Sequence, residues 1–222
     1  MDRVLVLGHR GAPALAPENT LESFRRAMEL GADGFEFDVR RSGDGRLVVV
    51  HNPRVGARSV ARSSYARLLA TRRGAAMPLL DQVLREFGGA WLDIELKVPG
   101  IEAPVLELAA KFCRPGRFVI TSFSRGVLLR VKELDPSAPA GWLLRRSVRP
   151  QLWQHLHLDY LVPHYRALRG PLVEAARQRG LRLITWTANS PQVLRRVLEL
   201  GVDIVISDLP DAALSLARRL GR

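Results

Sequence analysis

Two short acidic strands carry most of the chemistry open to this sequence. In Gly34-Phe35-Glu36-Phe37-Asp38-Val39, two carboxylates are set two residues apart in an apolar run. Side chains alternate along a strand, so Glu36 and Asp38 share one face while Phe35, Phe37 and Val39 share the other. Like charges on a buried face repel and lose hydration, and a cation between them relieves both penalties. Leu92-Asp93-Ile94-Glu95-Leu96-Lys97 repeats the pattern, with Asp93, Glu95 and Lys97 on one face. Glu95 can complete an oxygen cage with Glu36 and Asp38, suited to a hard divalent cation, Mg²⁺ or Ca²⁺, rather than to zinc. Lys97 would then neutralise part of the anionic set.

His9 and His51 each follow an apolar run, Val4 to Leu7 and Leu47 to Val50. A single histidine at such a place is more often structural than catalytic. Two of them beside a carboxylate-bound cation suit general acid and base work on a phosphate ester, and Arg10 offers a planar fork for phosphoryl oxygens.

The elements that must position these groups form a repeated strand-helix rhythm. The first strand, Val4 to Leu7, runs into a loop held out of helix by Pro13 and Pro17, and a helix capped by Asn19 or Thr20 ends near Gly31. Further strands are expected near 33–39, 91–97, 117–122, 139–144, 159–163, 181–187 and 202–207. Helices are expected near 79–87, 102–113, 124–134, 149–156, 168–179, 190–200 and 209–220. Eight strand-helix units point to an α/β fold, a closed TIM (β/α)₈ barrel with its active site at the carboxyl ends of the strands. A doubly wound open sheet is the runner-up, but its glycine-rich phosphate turn is missing after the first strand. Residues 46–50 read as one extra short strand after the second, either a hairpin partner or an added stave. Residues 53–77 read as an insertion-like loop with a weak helical patch at 64–70, and residues 1–222 as a single domain.

Composition bounds the partners. The chain has 222 residues, 47% apolar and 25% charged, with a net charge of +12. Only Lys97, Lys111 and Lys132 are lysines among the 34 basic residues, and the arginines are spread along the whole chain without a basic tract interleaved with aromatics. Nucleic acid is therefore not the expected partner, although the charge favours anionic substrates. No apolar window approaches a membrane span and the N-terminal run is too short for a signal peptide, so the reading is a cytoplasmic protein without stable membrane insertion. Cys113 is the only cysteine, which excludes an internal disulfide and suits a small buried residue. His155, His157 and His164 read as structural or surface groups, with His164 alone at a strand end. Asp203 and Asp208 read as backbone-binding and helix-capping residues.

The chain resembles the glycerophosphodiester phosphodiesterase family. The likeness rests on His9-Arg10-Gly11 with Pro17-Glu18-Asn19-Thr20, Glu36-Phe37-Asp38-Val39, the Asp44-Gly45 turn leading to His51, and Ile94-Glu95-Leu96-Lys97. It continues through Ser122-Phe123 and Trp186-Thr187-Ala188-Asn189 to Ser207-Asp208-Leu209-Pro210, so it runs from end to end. It implies a barrel that hydrolyses glycerophosphodiesters to glycerol 3-phosphate and an alcohol. Mg²⁺ or Ca²⁺ would be held by Glu36, Asp38 and Glu95, with His9 and His51 as acid and base. Arg10 and Lys97 would bind the phosphoryl group, and Phe123 and Trp186 would wall the glycerol. The attacking group implied is the glycerol 2-hydroxyl, giving a cyclic phosphate that water opens. Where the family usually has His-Asp this chain has His51-Asn52, and residues 53–77 are shorter than the usual insertion. Two other readings are a lysophospholipase D-like activity and a catalytically weak barrel that binds polyanions.

Overall fold

The computed structural model describes residues 3–71, 74, 76–149, 152–153 and 156–222. The chain opens with β1 (Leu5–His9), α1 (Leu21–Glu29), β2 (Gly34–Arg41) and β3 (Leu47–Val49). There follow β4 (Arg54–Val55), β5 (Arg58–Ser59), a 3-10 turn (Val60–Arg62), α2 (Tyr65–Leu69), α3 (Leu80–Phe87) and β6 (Trp91–Leu96). Next come α4 (Glu102–Phe112), β7 (Phe118–Ser122), α5 (Arg125–Leu134), β8 (Ala140–Leu144) and β9 (Tyr160–Pro163). The chain ends with α6 (Gly170–Arg177), β10 (Arg182–Thr185), α7 (Pro191–Glu199), β11 (Ile204–Ser207) and α8 (Pro210–Arg219).

Among the described residues, eight parallel strands pair in the order β1-β2-β6-β7-β8-β9-β10-β11, and β11 pairs back on β1 to close the barrel. The expected TIM barrel is therefore what forms. β3 pairs antiparallel with β2, Val39 opposite Val49 and Arg41 opposite Leu47, so the extra strand is a hairpin partner outside the barrel. The helix expected at 149–156 falls partly, and His155 wholly, outside the described residues.

Alternation divides the apolar residues between two layers. Phe35 and Phe37 of β2 face outward beneath the helices, where Phe24 of α1 stacks on Phe35 at 4.1 Å and Phe87 of α3 meets its edge at 5.1 Å. Burying each such ring contributes about 1.5–3 kcal/mol. Inside the barrel, Leu7, Val119, Leu143, Tyr160, Ile184 and Ile206 form a separate apolar core. In segment 53–77 the helical patch expected at 64–70 forms as α2, while the β4–β5 ribbon departs from the expected loop. Both lie over a small core of Val48, Val55, Val60, Leu68 and Met77. Two-residue strands carry no readable alternation, so that ribbon had no signal in the sequence.

The loop after β1 is bent tightly. Arg10 and Asn19 both have left-handed φ, 54° and 58°, and Gly11 has φ 92°. A Cβ at Gly11 would lie 2.4 Å from the Ser23 hydroxyl, so the turn needs glycine for both conformation and space. Thr20 caps α1, its hydroxyl accepting from the Ser23 amide at 3.1 Å. That leaves the Asn19 side chain for another partner.

Candidate active site

Strand register fixes which side chains meet. His9 lies opposite Glu36 and Glu36 opposite Asp93, while in the next inward-facing row Asp38 lies opposite Glu95 and Glu95 opposite Thr121. The carboxylates of Glu36, Asp38 and Glu95 each offer an oxygen within 4.8 Å of the others, and all three residues are buried. The three candidate ligands are all carboxylate oxygens, and the buried Asp38 Oδ1 has no hydrogen-bond partner although Lys97 Nζ stands 3.2 Å away. A carboxylate oxygen without a hydrogen bond, beside two further carboxylates, fits a hard divalent cation. The residues present can thus hold a metal ion.

Two cations compensate part of the negative charge. Lys97 Nζ lies 2.7 Å from Glu95 Oε1, and Arg10 Nε lies 3.1 Å from Asp38 Oδ2. The Arg10 backbone N–H donates to Glu36 Oε2 at 3.1 Å, which the left-handed turn makes possible. Asn19 donates to Asp38 Oδ2 at 2.9 Å. Burial favours protonation of Asp38, but Lys97, Arg10, His51 and Asn19 together hold its carboxyl below the usual range. Glu36 has only Arg10 to offset its surroundings, and burial with the charges of Asp38, Asp93 and Glu95 drives its pKa well above normal. Burial and Asp38 push Glu95 up to about 7, and burial pushes Asp93 up to about 8 despite its 2.6 Å hydrogen bond from Thr121. This carboxylate set is short of positive charge, the imbalance that a divalent ion corrects.

The two histidines flank the cage with different partners. His9 Nδ1 is 2.7 Å from Asp208 Oδ1, and its Nε2 is 3.9 Å from Glu36 Oε2. Asp208 in turn accepts from Asn189 Nδ2 at 2.5 Å, while its own amide donates to Asn189 Oδ1 at 2.9 Å. Burial opposes ionisation of Asp208, but the His9 hydrogen bond and charge and the Asn189 amide keep its pKa below normal. Asp208 is therefore a partner of His9 and not the cap expected of it, since α8 begins after Leu209. Asp203 does bind backbone as expected, accepting from the Leu183 amide at 2.7 Å. His51 Nδ1 lies 3.1 Å from Asn52 Oδ1, and the His51 carbonyl accepts from Arg40 Nε at 2.9 Å. Burial first, then Arg10 and Lys97, lowers the His51 pKa, outweighing Asp38.

His9, Arg10, Glu36, His51, Glu95 and Lys97 line one cleft at the carboxyl end of the barrel, and Phe123 and Trp186 form its apolar side. Those two rings meet edge to face at 5.7 Å, and the Trp186 indole N–H donates to the Val162 carbonyl at 3.0 Å. His164 packs on Trp186 at 4.9 Å, behind that wall. Asp38 is fully buried beneath the cleft. All nine residues expected at the site thus converge, and the structure adds Asn19, Asp208, Asn189 and Arg145. Asp208 was detectable only through closure: a barrel's last strand lies beside its first, so a polar residue after β11 must face His9. Cys113 stands apart from the cleft, where burial pushes its thiol up to about 11. No helix among the described residues is long and apolar enough to cross a membrane.

Known proteins share this arrangement of chain. The profile of the glycerophosphoryl diester phosphodiesterase family matches residues 9–103 and 93–212. A glycerophosphodiester phosphodiesterase of Caldanaerobacter subterraneus subsp. tengcongensis is 31% identical over 242 residues, covering 99% of this chain and 100% of that protein. An Oleispira antarctica phosphodiesterase, solved in complex with the product sn-glycerol-3-phosphate, superposes with a TM-score of 0.87 at 25% identity over 97% of each chain. The glycerophosphodiester phosphodiesterase of Thermotoga maritima superposes with a TM-score of 0.85 at 27% identity, over 97% of this chain and 99% of that one. With the profile spanning most of its length, the chain belongs to the glycerophosphoryl diester phosphodiesterase family.

Proposed function

We propose that this chain, acting as one barrel domain, hydrolyses glycerophosphodiesters to glycerol 3-phosphate and an alcohol with the help of a divalent cation, Mg²⁺ or Ca²⁺. The observation that carries the reading is the convergence of two histidines on the Glu36, Asp38 and Glu95 cage. Glu36, Asp38 and Glu95 would hold the ion, which when bound supplies Lewis-acid stabilisation of charge on the phosphoryl group. Arg10 and Lys97 stand close enough to share that task by hydrogen bonding.

The acid and base roles follow from the partners of the histidines. A base must be neutral when substrate arrives, and burial lowers the His51 pKa, which suits His51 to take the proton of the glycerol 2-hydroxyl as it attacks phosphorus. Asp208 holds His9 at Nδ1 and leaves Nε2 to the cleft, which suits His9 to protonate the departing alkoxide. The first step forms the phosphorus–oxygen bond of a cyclic phosphate and breaks that to the alcohol. Water opens the ring with the two roles exchanged. Phe123 and Trp186 would exclude water from the glycerol side. A long-chain lysophospholipid would need an apolar path beyond those rings, where the exposed Arg145 stands instead, so a short glycerophosphodiester is the better substrate.

Incubating the protein with glycerophosphoethanolamine and Mg²⁺ or Ca²⁺ should release glycerol 3-phosphate and ethanolamine. Release of glycerol and phosphoethanolamine instead, or no turnover across a panel of glycerophosphodiesters, would refute the proposal. Two narrower outcomes are expected. Asp208→Asn should lower kcat roughly 10- to 100-fold through loss of His9 orientation and charge support, with KM little changed, as steady-state kinetics would read. Asn52→Asp places a carboxylate on His51 Nδ1 and stabilises the imidazolium. The acid limb of the kcat/KM profile, set by a base that must be neutral, should then move to higher pH.

A further inference from the structure

We propose that Arg145 selects the leaving alcohol, favouring one that carries a negative charge; the inference rests on the glycerophosphodiesterase reading above. Arg145 follows β8 at the mouth of the cleft, and its guanidinium carbon lies 4.9 Å from the centroid of the Phe123 ring. The side chain is exposed, and among the described residues no carboxylate pairs with it. Lys97, the other cation near that ring at 5.9 Å, is by contrast engaged with Glu95 and Asp38. Stacking on a ring steadies a guanidinium while leaving its N–H edge available, and that planar edge matches a carboxylate or phosphate.

The constant and variable parts of the substrate must occupy different ends of the cleft. Glycerol is the part common to every substrate, and the enclosed end beside Leu143 and Ile206, 6% and 1% exposed, suits a group that never changes. The alcohol varies in size and has to extend toward solvent, past the outer edge of Phe123 to Arg145. An alcohol bearing a carboxylate meets an unpaired guanidinium there. A quaternary ammonium meets a like charge, and it finds the Phe123 face, which would otherwise attract it, already covered by Arg145. The aromatic wall therefore works against choline.

Three glycerophosphodiesters whose alcohols are anionic, neutral and cationic test this: those of glycolate, ethanol and choline, with kcat/KM measured at low ionic strength. The glycolate ester should exceed the ethanol ester about two- to fivefold, the size of one charge-assisted pair near a surface, with the choline ester lowest. Arg145→Met should bring the glycolate-to-ethanol ratio to about one, and Arg145→Glu should reverse it. The neighbouring exposed Arg146→Met should keep the wild-type ratio. An unchanged ratio in Arg145→Met, or an equal loss of preference in Arg146→Met, would overturn the assignment, the latter by tracing the preference to net charge. Turnover of none of the three by the wild type would overturn the activity itself, and the assignment with it.

Discussion

Glu36→Gln should abolish divalent-cation binding and lower turnover by about 10³-fold or more, and yet the chelator-treated variant should unfold at a higher temperature than the chelator-treated wild type. The first half follows from removing one of three anionic ligands of a hard ion. The second half follows from the sign of the Glu36 shift. Its folded pKa lies well above the ordinary carboxylate value because of burial and the neighbouring Asp38, Asp93 and Glu95. A carboxyl whose pKa rises on folding holds its proton more tightly in the folded state. Its contribution to stability is thus most favourable below the unfolded value and is lost as pH rises through the folded one. Near neutral pH the ion-free fold must either keep on Glu36 a proton that the unfolded chain would release or bury an unbalanced charge, and a neutral glutamine of the same shape escapes both costs. For a chain of this length each kcal/mol relieved raises Tm by roughly 2–4 °C. Calorimetry with chelator and then with added Mg²⁺ or Ca²⁺ separates the effects: the wild type should gain stability with the ion and the variant should not. A variant that still binds the ion with wild-type affinity would remove Glu36 from the cage.

His51→Ala and His9→Ala should each lower kcat by about 10²–10⁴-fold, the usual range for a general acid or base, with ion binding preserved. Preservation is the informative half, because neither imidazole belongs to the oxygen cage while both border it. The two variants should also differ in what rescues them. With His51 gone, a small exogenous base in the assay should recover part of the activity. With His9 gone, a substrate whose alcohol is already a good leaving group, such as a nitrophenol ester of glycerol 3-phosphate, should suffer much less. Equal losses on that activated substrate and on an ordinary one would remove His9 from the acid role.

Much of this site is visible in the amino-acid sequence because alternation is a strong signal in buried strands. Glu36 and Asp38 between Phe35, Phe37 and Val39 announce both an inward charged face and an outward apolar one, and the structure realises both. Glu95 and Lys97 are legible for the same reason. What lies beyond that signal depends on tertiary closure. His9 and Asp208 are 199 residues apart, and only the pairing of β11 with β1 brings them to 2.7 Å. Asn19 looks like a helix cap by type and position, and it is the left-handed backbone there that turns its amide onto Asp38. The β4–β5 ribbon is too short to carry a period. Arg145 is one arginine among many until Phe123 is seen beneath it.

Everything proposed for the cleft depends on Glu36, Asp38 and Glu95 holding a divalent cation that glycerophosphodiester hydrolysis requires. The most direct test is the rate of glycerol 3-phosphate release by protein stripped with chelator and dialysed free of it, before and after Mg²⁺ or Ca²⁺ is returned. The stripped protein should release no measurable product, and activity should recover to a plateau as the ion is returned. Full turnover by the stripped protein, unchanged on adding either ion, would contradict that requirement.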